Sequence, residues 1–360
     1  MRKGFVFKLH SVTGLLSGIF ILLLSLSGSV LLFHDEIDSL QYPKVVNQNN
    51  AAVLGVDSCY KKIQKEYPEA YISNCNIAEN VSRPFVFTIY DIGYNQGTDP
   101  LQVFLHPQTA EILKTRGGSG DMQNNFMNWL STFHNSFHLH KKGEFLLAVF
   151  GICFLISSIT GLILYRKNVK DVLLFRKRVF KSANLHQLIG VYALLFNLVI
   201  AFSGVWMQRY VFKKDFYSSY AYTPEVKATP NISFNIDSAF SRVQKTYTDF
   251  TPYVIYFAQN TSGKTAIYGS RKSNSFIHSK KFADAIFLDS TGNISNTRLV
   301  NEISAADRYD IINSQIHFGQ YGGLPLKILY VIFGLMGGLL SITGALLWLR
   351  RKNSYQFTHG

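Results

Sequence analysis

Four stretches of nearly unbroken apolar residues stand out along the chain. They cover roughly residues 11–33, 145–165, 187–208 and 325–349. Each is close to the ~20 residues that an α-helix needs to cross the hydrocarbon core of a lipid bilayer. Backbone N–H and C=O groups cannot stay unpaired in lipid, so each stretch is expected to be a helix. The pattern predicts an α-helical membrane protein whose transmembrane part is a four-helix bundle.

Between the first and second stretches, and again between the third and fourth, the pattern becomes that of a soluble module. Each of these two segments begins with a helical run and continues with three short runs typical of β-strands. The helices are expected at 53–67 and 236–247, and the strands at 70–76, 84–90, 101–106, 253–258, 265–269 and 283–288. One helix with three strands makes a small α+β module, so the chain is expected to carry two external modules.

The apolar stretches form two similar halves. In each half an Ile-Thr-Gly triplet lies near the end of the second stretch, at 159–161 and at 342–344. His134 and His317 each stand 27 residues before the glycine of their triplet (161 − 134 and 344 − 317). A cluster of basic residues follows each stretch as well. Such matched spacing indicates an internal repeat.

His10 and His186 stand at the start of the first helix of each half. Each is followed by one glycine four residues later and by another 18 residues later. The two helices run in the same direction, so these histidines should lie at the same depth at one face of the membrane. By the same argument His134 and His317 should lie together at the other face. A polar ring at a membrane helix is costly enough to suggest a task.

Composition and charge agree with a membrane protein. Of the 360 residues, 47% are hydrophobic and only 16% are charged, whereas a soluble domain carries about 25% charged residues. Much of the formal net charge of +14 comes from cations before the first helix, in the loop 167–186 and after the last helix. Such clusters mark the cytoplasmic side, so both termini are expected in the cytoplasm. Since topology accounts for the cations, no nucleic-acid partner is expected.

The first helix is expected to be retained rather than cleaved as a signal peptide, because its apolar run is too long. Eight segments are predicted in chain order. They are the N-terminus with helix 1 (1–34), module 1 (35–144), helix 2 (145–166), the basic loop (167–186), helix 3 (187–208), module 2 (209–324), helix 4 (325–349) and the C-terminal tail (350–360).

Two histidines that face each other across a helical bundle meet the need of a six-coordinate haem iron. The porphyrin supplies four nitrogens, and one imidazole binds on each axial side. His10 with His186, and His134 with His317, would hold two b-type haems, one near each face of the membrane. The sequence contains no CxxCH motif, so covalent attachment of haem is not expected.

Other interpretations of the histidines remain open. At 1.5 Å per residue, His134 would stand about 16 Å before the second apolar run if the helix were continuous. His138 is one turn closer and is an alternative ligand of the outer haem. Zinc bound by His134, His138 and His140 is a further alternative, but it would leave His10 and His186 unexplained.

Cys59 and Cys75 both fall in the first module, on its helix and near its first strand. An external compartment permits disulfides. The distance between the two residues cannot be read from the sequence, so a disulfide and two thiols are both open.

Several motifs together carry a resemblance to a known family. They are LHSVTG and SLSGSVLLFHDEID in helix 1, FHNSFHLHKKGE and SITGLILYRK around helix 2, LHQLIG and FSG in helix 3, and IHFGQYGG and SITGALLWLRR around helix 4. With these motifs nearly the whole chain resembles the PepSY-associated transmembrane family, which includes bacterial inner-membrane ferric-siderophore reductases. The two external modules resemble PepSY domains, and FLDSTGNI is similar to the final strand and turn of such a domain.

The resemblance implies an oxidoreductase in the bacterial inner membrane that moves electrons outward to a periplasmic ferric chelate. His10 and His186 would hold the inner haem, and His134 and His317 the outer one. Electron transfer would be outer-sphere, with no catalytic side chain, and iron would leave as Fe(II). The electrons would come from a separate cytoplasmic protein or from quinol.

Residues of the external modules, such as Tyr94, Arg116 and Lys280, could attract an anionic chelate. Two other functions compete with reduction. One is a transporter built on repeats, and the other is a non-enzymatic envelope protein that uses its PepSY modules to bind or regulate other proteins.

Overall fold

The computed structural model describes residues 3–46, 55–77, 82–91, 93, 99–174, 182–216, 232–258, 264–273 and 281–359. The chain divides into two compact units, and each is built from separate stretches of sequence. Unit 1 comprises Met1–His34, Leu130–Ala221 and Ile316–Gly360. Unit 2 comprises Asp35–Trp129 and Tyr222–Gln315.

Most of the described residues lie in helices and strands. The α-helices are α1 (Lys3–Leu31), α2 (His34–Asp38), α3 (Val56–Glu66), α4 (Phe126–Ser136), α5 (His140–Tyr165), α6 (Val169–Leu173), α7 (Ser182–Tyr192), α8 (Leu194–Met207), α9 (Ile236–Thr246), α10 (Ala305–Phe318) and α11 (Gly323–His359). The strands are β1 (Tyr71–Asn76), β2 (Phe85–Tyr90), β3 (Leu101–Leu105), β4 (Ile112–Gly117), β5 (Phe250–Tyr256), β6 (Thr265–Arg271), β7 (Asp284–Leu288) and β8 (Ile294–Arg298). Short 3₁₀ turns occur at Ser39–Gln41, Arg166–Asn168 and Arg209–Phe212.

The predicted four-helix transmembrane bundle is wrong. In the described part of the chain, three helices are long and apolar enough to cross a membrane: Lys3–Leu31, His140–Tyr165 and Gly323–Arg351. The stretch predicted as a third span, 187–208, falls instead within α7 and α8, which meet at a bend of 63°. Neither of these two helices alone reaches the length of a span.

The bend lies at Ala193, between Tyr192 and Leu194. Neither proline nor glycine marks it in the sequence, and these are the usual signals of a helix break. Ala193 is itself apolar, so the apolar pattern of the sequence continues through the bend. In the structure it is fully buried. Hydropathy records the length of an apolar run, and it carries no information on whether the helix axis stays straight.

Small residues bring α1 and α11 close together in unit 1. A Cβ added at Gly337 would lie 3.2 Å from Ser25 Oγ, and one added at Gly334 would lie 3.3 Å from Ser29 Oγ. Glycine and serine allow such close approach of two membrane helices. The pairing order, with the later glycine beside the earlier serine, shows that the two helices are antiparallel.

Unit 2 contains one antiparallel sheet of eight strands in the order β4-β3-β2-β1-β5-β6-β7-β8. Each predicted module is present as a helix with strands, but each has a fourth strand that was not predicted, β4 or β8. The two modules are also not separate, because β1 pairs with β5 in the register Asn74↔Tyr256, Cys75↔Ile255 and Asn76↔Val254.

Alternating side chains of the strands form the core of unit 2. Residues such as Phe87, Val103, Ile255 and Ile286 have no exposed surface, and they pack with the apolar faces of α3 and α9 in one cluster. Alternation of apolar positions along strands is the pattern that predicted these elements, and it accounts for their close agreement with the structure.

The N-termini of α3 and α9 cap each other. The backbone N–H groups of Val56 and Asp57 donate to the Asp237 carboxylate at 2.8 and 3.3 Å. In return, the N–H of Ile236 donates to Asp57 Oδ1 at 3.1 Å. Each aspartate therefore satisfies N–H groups that the first turn of a helix leaves unpaired. Burial raises the pKa of Asp237, and the nearby Asp57 acts in the same direction.

Cys59 and Cys75 are both fully buried in the core of unit 2, and both are thiols. Burial raises the pKa of Cys59 to about 12 and that of Cys75 well above its usual value. A thiol that stays protonated is a poor nucleophile, so neither residue has the character of a reactive cysteine.

Candidate functional site

His10 on α1 and His186 on α7 face each other within unit 1. Their ring centroids are 6.3 Å apart, and the ring planes are inclined by 73°. An imidazole nitrogen binds a metal at about 2 Å and lies about 1 Å from its ring centre, so one metal between two imidazoles gives about 6 Å between centroids. The centroid distance of this pair is close to that value.

The position of His10 is fixed by α5. Its Nδ1 donates to the backbone carbonyl of Ser157 at 2.9 Å. The hydroxyl oxygens of Ser157 and Thr160 each lie 3.3 Å from the same nitrogen. These contacts occupy Nδ1, so Nε2 is the nitrogen that remains for a metal.

The position of His186 is fixed in a similar way by α11. Its Nδ1 lies 2.8 Å from Thr343 Oγ1. Thr343 holds the same place in its Ile-Thr-Gly triplet as Thr160 does, so the internal repeat extends to the partner of each histidine.

The glycine of each triplet makes room for the ring. A Cβ added at Gly161 would lie 3.1 Å from His10 Cε1, and one added at Gly344 would lie 3.5 Å from His186 Cε1. The first distance is shorter than an ordinary carbon contact. The edge of an imidazole therefore takes the space that a side chain would fill.

A cavity of about 500 Å³ opens beside this pair. This volume lies within the range of about 300–1,000 Å³ that is usual for ligand sites. Four glycines and several small side chains allow the walls to be flat and close. The glycines are Gly14, Gly161, Gly190 and Gly344, and the small side chains are Ser11, Ser17, Ser157, Ser158, Ser341 and Ala345.

Two cations also line the cavity. They are Lys8 and Arg351, and the Arg351 guanidinium lies 4.4 Å from the centre of the Phe7 ring. An apolar cavity with two imidazoles inside and two cations on its wall suits a flat, metal-containing ring that carries carboxylates. The residues present therefore fit a haem.

His134 and His317 form the second site. Ser27 Oγ on α1 lies 2.8 Å from His134 Nδ1. Ser203 Oγ on α8 lies 2.9 Å from His317 Nδ1. A glycine again follows each hydroxyl residue, and a Cβ added at Gly28 would lie 3.0 Å from His134 Cε1. The second site thus repeats the contacts of the first.

Both histidines of the second site are held neutral. Burial lowers the pKa of His134 to about 3, and the nearby His317 acts in the same direction. Burial also lowers the pKa of His317 to about 4, against the effect of its hydrogen bond to the backbone of Ile200. A neutral imidazole is the form that binds a metal.

A turn between α4 and α5 separates His134 from the membrane helix. Helix α4 ends at Ser136 and α5 starts at His140, so His134 is not on the membrane helix at all. Phe137, His138 and His140 adopt left-handed backbone angles, with φ of 50°, 56° and 51°. Such angles cost about 1–2 kcal/mol each in residues other than glycine. Glycine is the usual sequence signal for such angles, and none of these three residues is a glycine. The turn was therefore not predicted.

His138 lies within this turn, close to Phe133, with ring centroids 6.3 Å apart. The described residues also contain no group of three or more His, Cys, Asp or Glu side chains that could hold a metal ion. This finding disfavours the zinc alternative for His134, His138 and His140.

Arg116 does not have the role suggested for it. It is only 4% exposed, and its guanidinium makes two hydrogen bonds to the Asp38 carboxylate at 2.8 and 2.9 Å. A buried cation that is paired in this way is not available to an external anion. Tyr94 and Lys280 lie outside the described residues.

The hydroxyl partners of the histidines are candidate site residues that the sequence reasoning missed. The signal was present, because each partner stands directly before one of the glycines that define the repeat. The four partners are Ser27, Thr160, Ser203 and Thr343.

One comparison with known proteins identifies the class of the chain. A family model described as the PepSY-associated TM region matches residues 7–351. The match includes both histidine pairs and all four hydroxyl partners. A search of curated proteins gives no match.

Proposed function

The chain belongs to the family of the PepSY-associated TM region, and we propose that it is an oxidoreductase with two b-type haems. It is a multi-pass membrane protein of this family. It takes electrons from a cytoplasmic protein or from quinol and passes them across the bacterial inner membrane. The acceptor is a periplasmic ferric chelate of the siderophore type. Reduction releases the iron as Fe(II).

The observation that carries this proposal is the His10–His186 pair, with ring centroids 6.3 Å apart beside a cavity of about 500 Å³. Two imidazoles alone are too few for a stable metal site made only of protein. A haem supplies the other four nitrogens and, when bound, carries one electron at a time. His134 and His317 have the same hydroxyl and glycine partners, which supports a second haem.

Three kinds of residue would bind the haems in this proposal: histidines, glycines and cations. The histidines would hold the iron of each bound haem, His10 with His186 and His134 with His317. The glycines let helix backbones approach the flat ring. Lys8 and Arg351, which line the first cavity, attract the carboxylates of the ring.

The direction of transfer rests on topology. Cations follow α5 and cluster at the two ends of the sequence, which supports cytoplasmic termini. In this orientation the His10–His186 site lies towards the cytoplasm and the His134–His317 site towards the periplasm. The identity of the acceptor rests on the family resemblance. One electron reduces ferric iron, and hard oxygen ligands hold the resulting Fe(II) less tightly.

The first test is the absorbance spectrum of the detergent-purified full chain, oxidised and then reduced with dithionite. We expect sharp b-type bands and two haems per chain. A colourless protein from haem-replete cells would contradict the proposal and favour an envelope-binding role for the sheet unit.

Substitutions then assign the ligands. His186→Ala and His317→Ala should each remove one haem, because each would leave only one histidine to hold it. His138→Ala is the matched control on the same segment as His134, and it should retain two haems. Loss of a haem in His138→Ala would move the outer ligand from His134 to His138.

The acceptor is tested separately. The pre-reduced protein is mixed with a ferric siderophore in the presence of a chromogenic Fe(II) chelator. Reoxidation of the haem and capture of Fe(II) should proceed together, one iron per electron. If the haem stays reduced, the ferric siderophore is not the acceptor. The protein would then be an electron carrier with a different acceptor.

A further inference from the structure

The hydroxyl groups beside the histidines have a feature that packing alone does not require. Each hydroxyl has one proton, and it gives that proton to a carbonyl of its own helix. Thr343 Oγ1 donates to Leu339 O at 2.8 Å, and Ser27 Oγ donates to Leu23 O at 2.8 Å. A carbonyl oxygen can only accept, so the direction of these bonds is fixed.

The direction of these bonds determines which imidazole nitrogen carries the proton. When the hydroxyl proton goes to the Leu339 carbonyl, the oxygen of Thr343 accepts at its contact with His186 Nδ1. The proton of that contact then comes from Nδ1. This arrangement assigns His186 the Nδ1–H tautomer, with a lone pair on Nε2. The same reasoning applies to His134 through Ser27.

His10 reaches the same tautomer by another route. Its Nδ1 donates directly to the backbone carbonyl of Ser157 at 2.9 Å. The Thr160 hydroxyl, 3.3 Å away, is a secondary contact and gives its own proton to Ile156 O at 2.7 Å. His317 Nδ1 lies 2.9 Å from Ser203 Oγ, which donates its own proton to Ile200 O at 3.1 Å. The first pair thus combines one histidine held by a backbone carbonyl with one held by a side-chain hydroxyl.

From this arrangement, and resting on the proposed haem function, we infer that Thr343 and Ser27 are positioning residues that set the reduction potentials of the two haems. An acceptor on Nδ1–H raises the basicity of the opposite nitrogen and orients the ring. A more basic axial ligand favours ferric over ferrous iron. Removal of the acceptor should therefore raise the midpoint potential of that haem.

The repeat provides a matched test. Thr343→Val and Thr160→Val make the same change of shape at equivalent positions beside the same cavity. Thr343→Val removes the hydroxyl that accepts from His186. Thr160→Val leaves His10 bonded to the Ser157 carbonyl. A merely structural role of the two threonines would make their effects alike.

The measurement is a spectroelectrochemical titration of the full chain with its haems bound. We expect Thr343→Val to raise one midpoint potential by about 59 mV, which corresponds to a tenfold change for one electron. Thr160→Val should shift a potential by much less, because His10 keeps its hydrogen bond to the Ser157 carbonyl, and Thr343→Ser should keep the wild-type value. Equal shifts in Thr343→Val and Thr160→Val, or no shift in either, would overturn the inference.

The second site gives an independent comparison if Thr343→Val fails to retain haem. Ser27→Ala should raise the other midpoint potential, because it removes the hydroxyl that lies 2.8 Å from His134 Nδ1. Two haems with unshifted potentials in Ser27→Ala would contradict the positioning role alone. A wild-type chain without haem would contradict the proposed function as well.

Discussion

At the scale of single residues, three of the four histidines have a hydroxyl close to Nδ1, whereas His10 has the Ser157 carbonyl. The glycine beside each ring leaves space for Cε1. At Gly28 the space is tightest, because an added Cβ would lie 3.0 Å from His134 Cε1. His134 lies on α4, whereas Ser27 and Gly28 lie on α1. A side chain added at Gly28 would therefore push the His134 ring away from α1 and from its hydrogen bond to Ser27.

Gly28→Ala should therefore displace His134. The crowding is expected to cost about 1–3 kcal/mol, and haem content should fall from two towards one per chain. Haem per chain and the thermal unfolding midpoint of the purified protein measure these effects. Gly4→Ala on the same helix is the control, since an added Cβ there has no neighbour within 4 Å. Equal haem content in the two variants would show that the ring adapts.

At the scale of elements, helix ends in unit 2 are stabilised by partners from far along the chain. Asp237 accepts from Val56 and Asp57, which are 181 and 180 residues away. The sequence predicted both helices to within a few residues, because their amphipathic pattern is local. It gave no sign of the reciprocal caps, because a helix N-terminus can be satisfied by any acceptor that the fold brings near.

Asp237→Ala should weaken the first turn of α3. Loss of a side-chain cap costs about 1 kcal/mol, which corresponds to roughly fivefold faster exchange of the affected amides. Hydrogen exchange of peptides that contain Val56 and Asp57 measures the change in the intact protein. Glu69→Ala removes an exposed carboxylate from the same unit and should leave the exchange as it is. Unchanged exchange in Asp237→Ala would mean that water replaces the cap.

At the scale of the whole molecule, two modules share one sheet. Their helices pack in a single core, and β1 and β5 lie at the centre of the strand order. A module on its own would present β1 or β5 as an unpaired edge, and such an edge pairs readily with other chains. The two modules should therefore be one folding unit.

A fragment of residues 35–129 expressed alone is expected to aggregate, because β1 lacks its partner and the core lacks the residues of α9. Coexpression with residues 222–315 should give a soluble complex. Size-exclusion chromatography distinguishes the two outcomes. A monomeric 35–129 fragment with a folded circular-dichroism spectrum would show that the first module is self-sufficient.

Local periodicity determined much of this protein. It gave the apolar segments, the helix and first three strands of each module, and the repeat that singles out the four histidines, because each of these depends on residues close together in sequence. The histidine pairs as haem ligands stay a prediction.

Only the tertiary structure decided the bend at Ala193, the turn after α4, the β1–β5 pair and the hydroxyl partner of each imidazole. These features depend on contacts between residues distant in sequence. Ser27 and His134, for example, are 107 positions apart, and no local pattern specifies which hydroxyl a ring will meet.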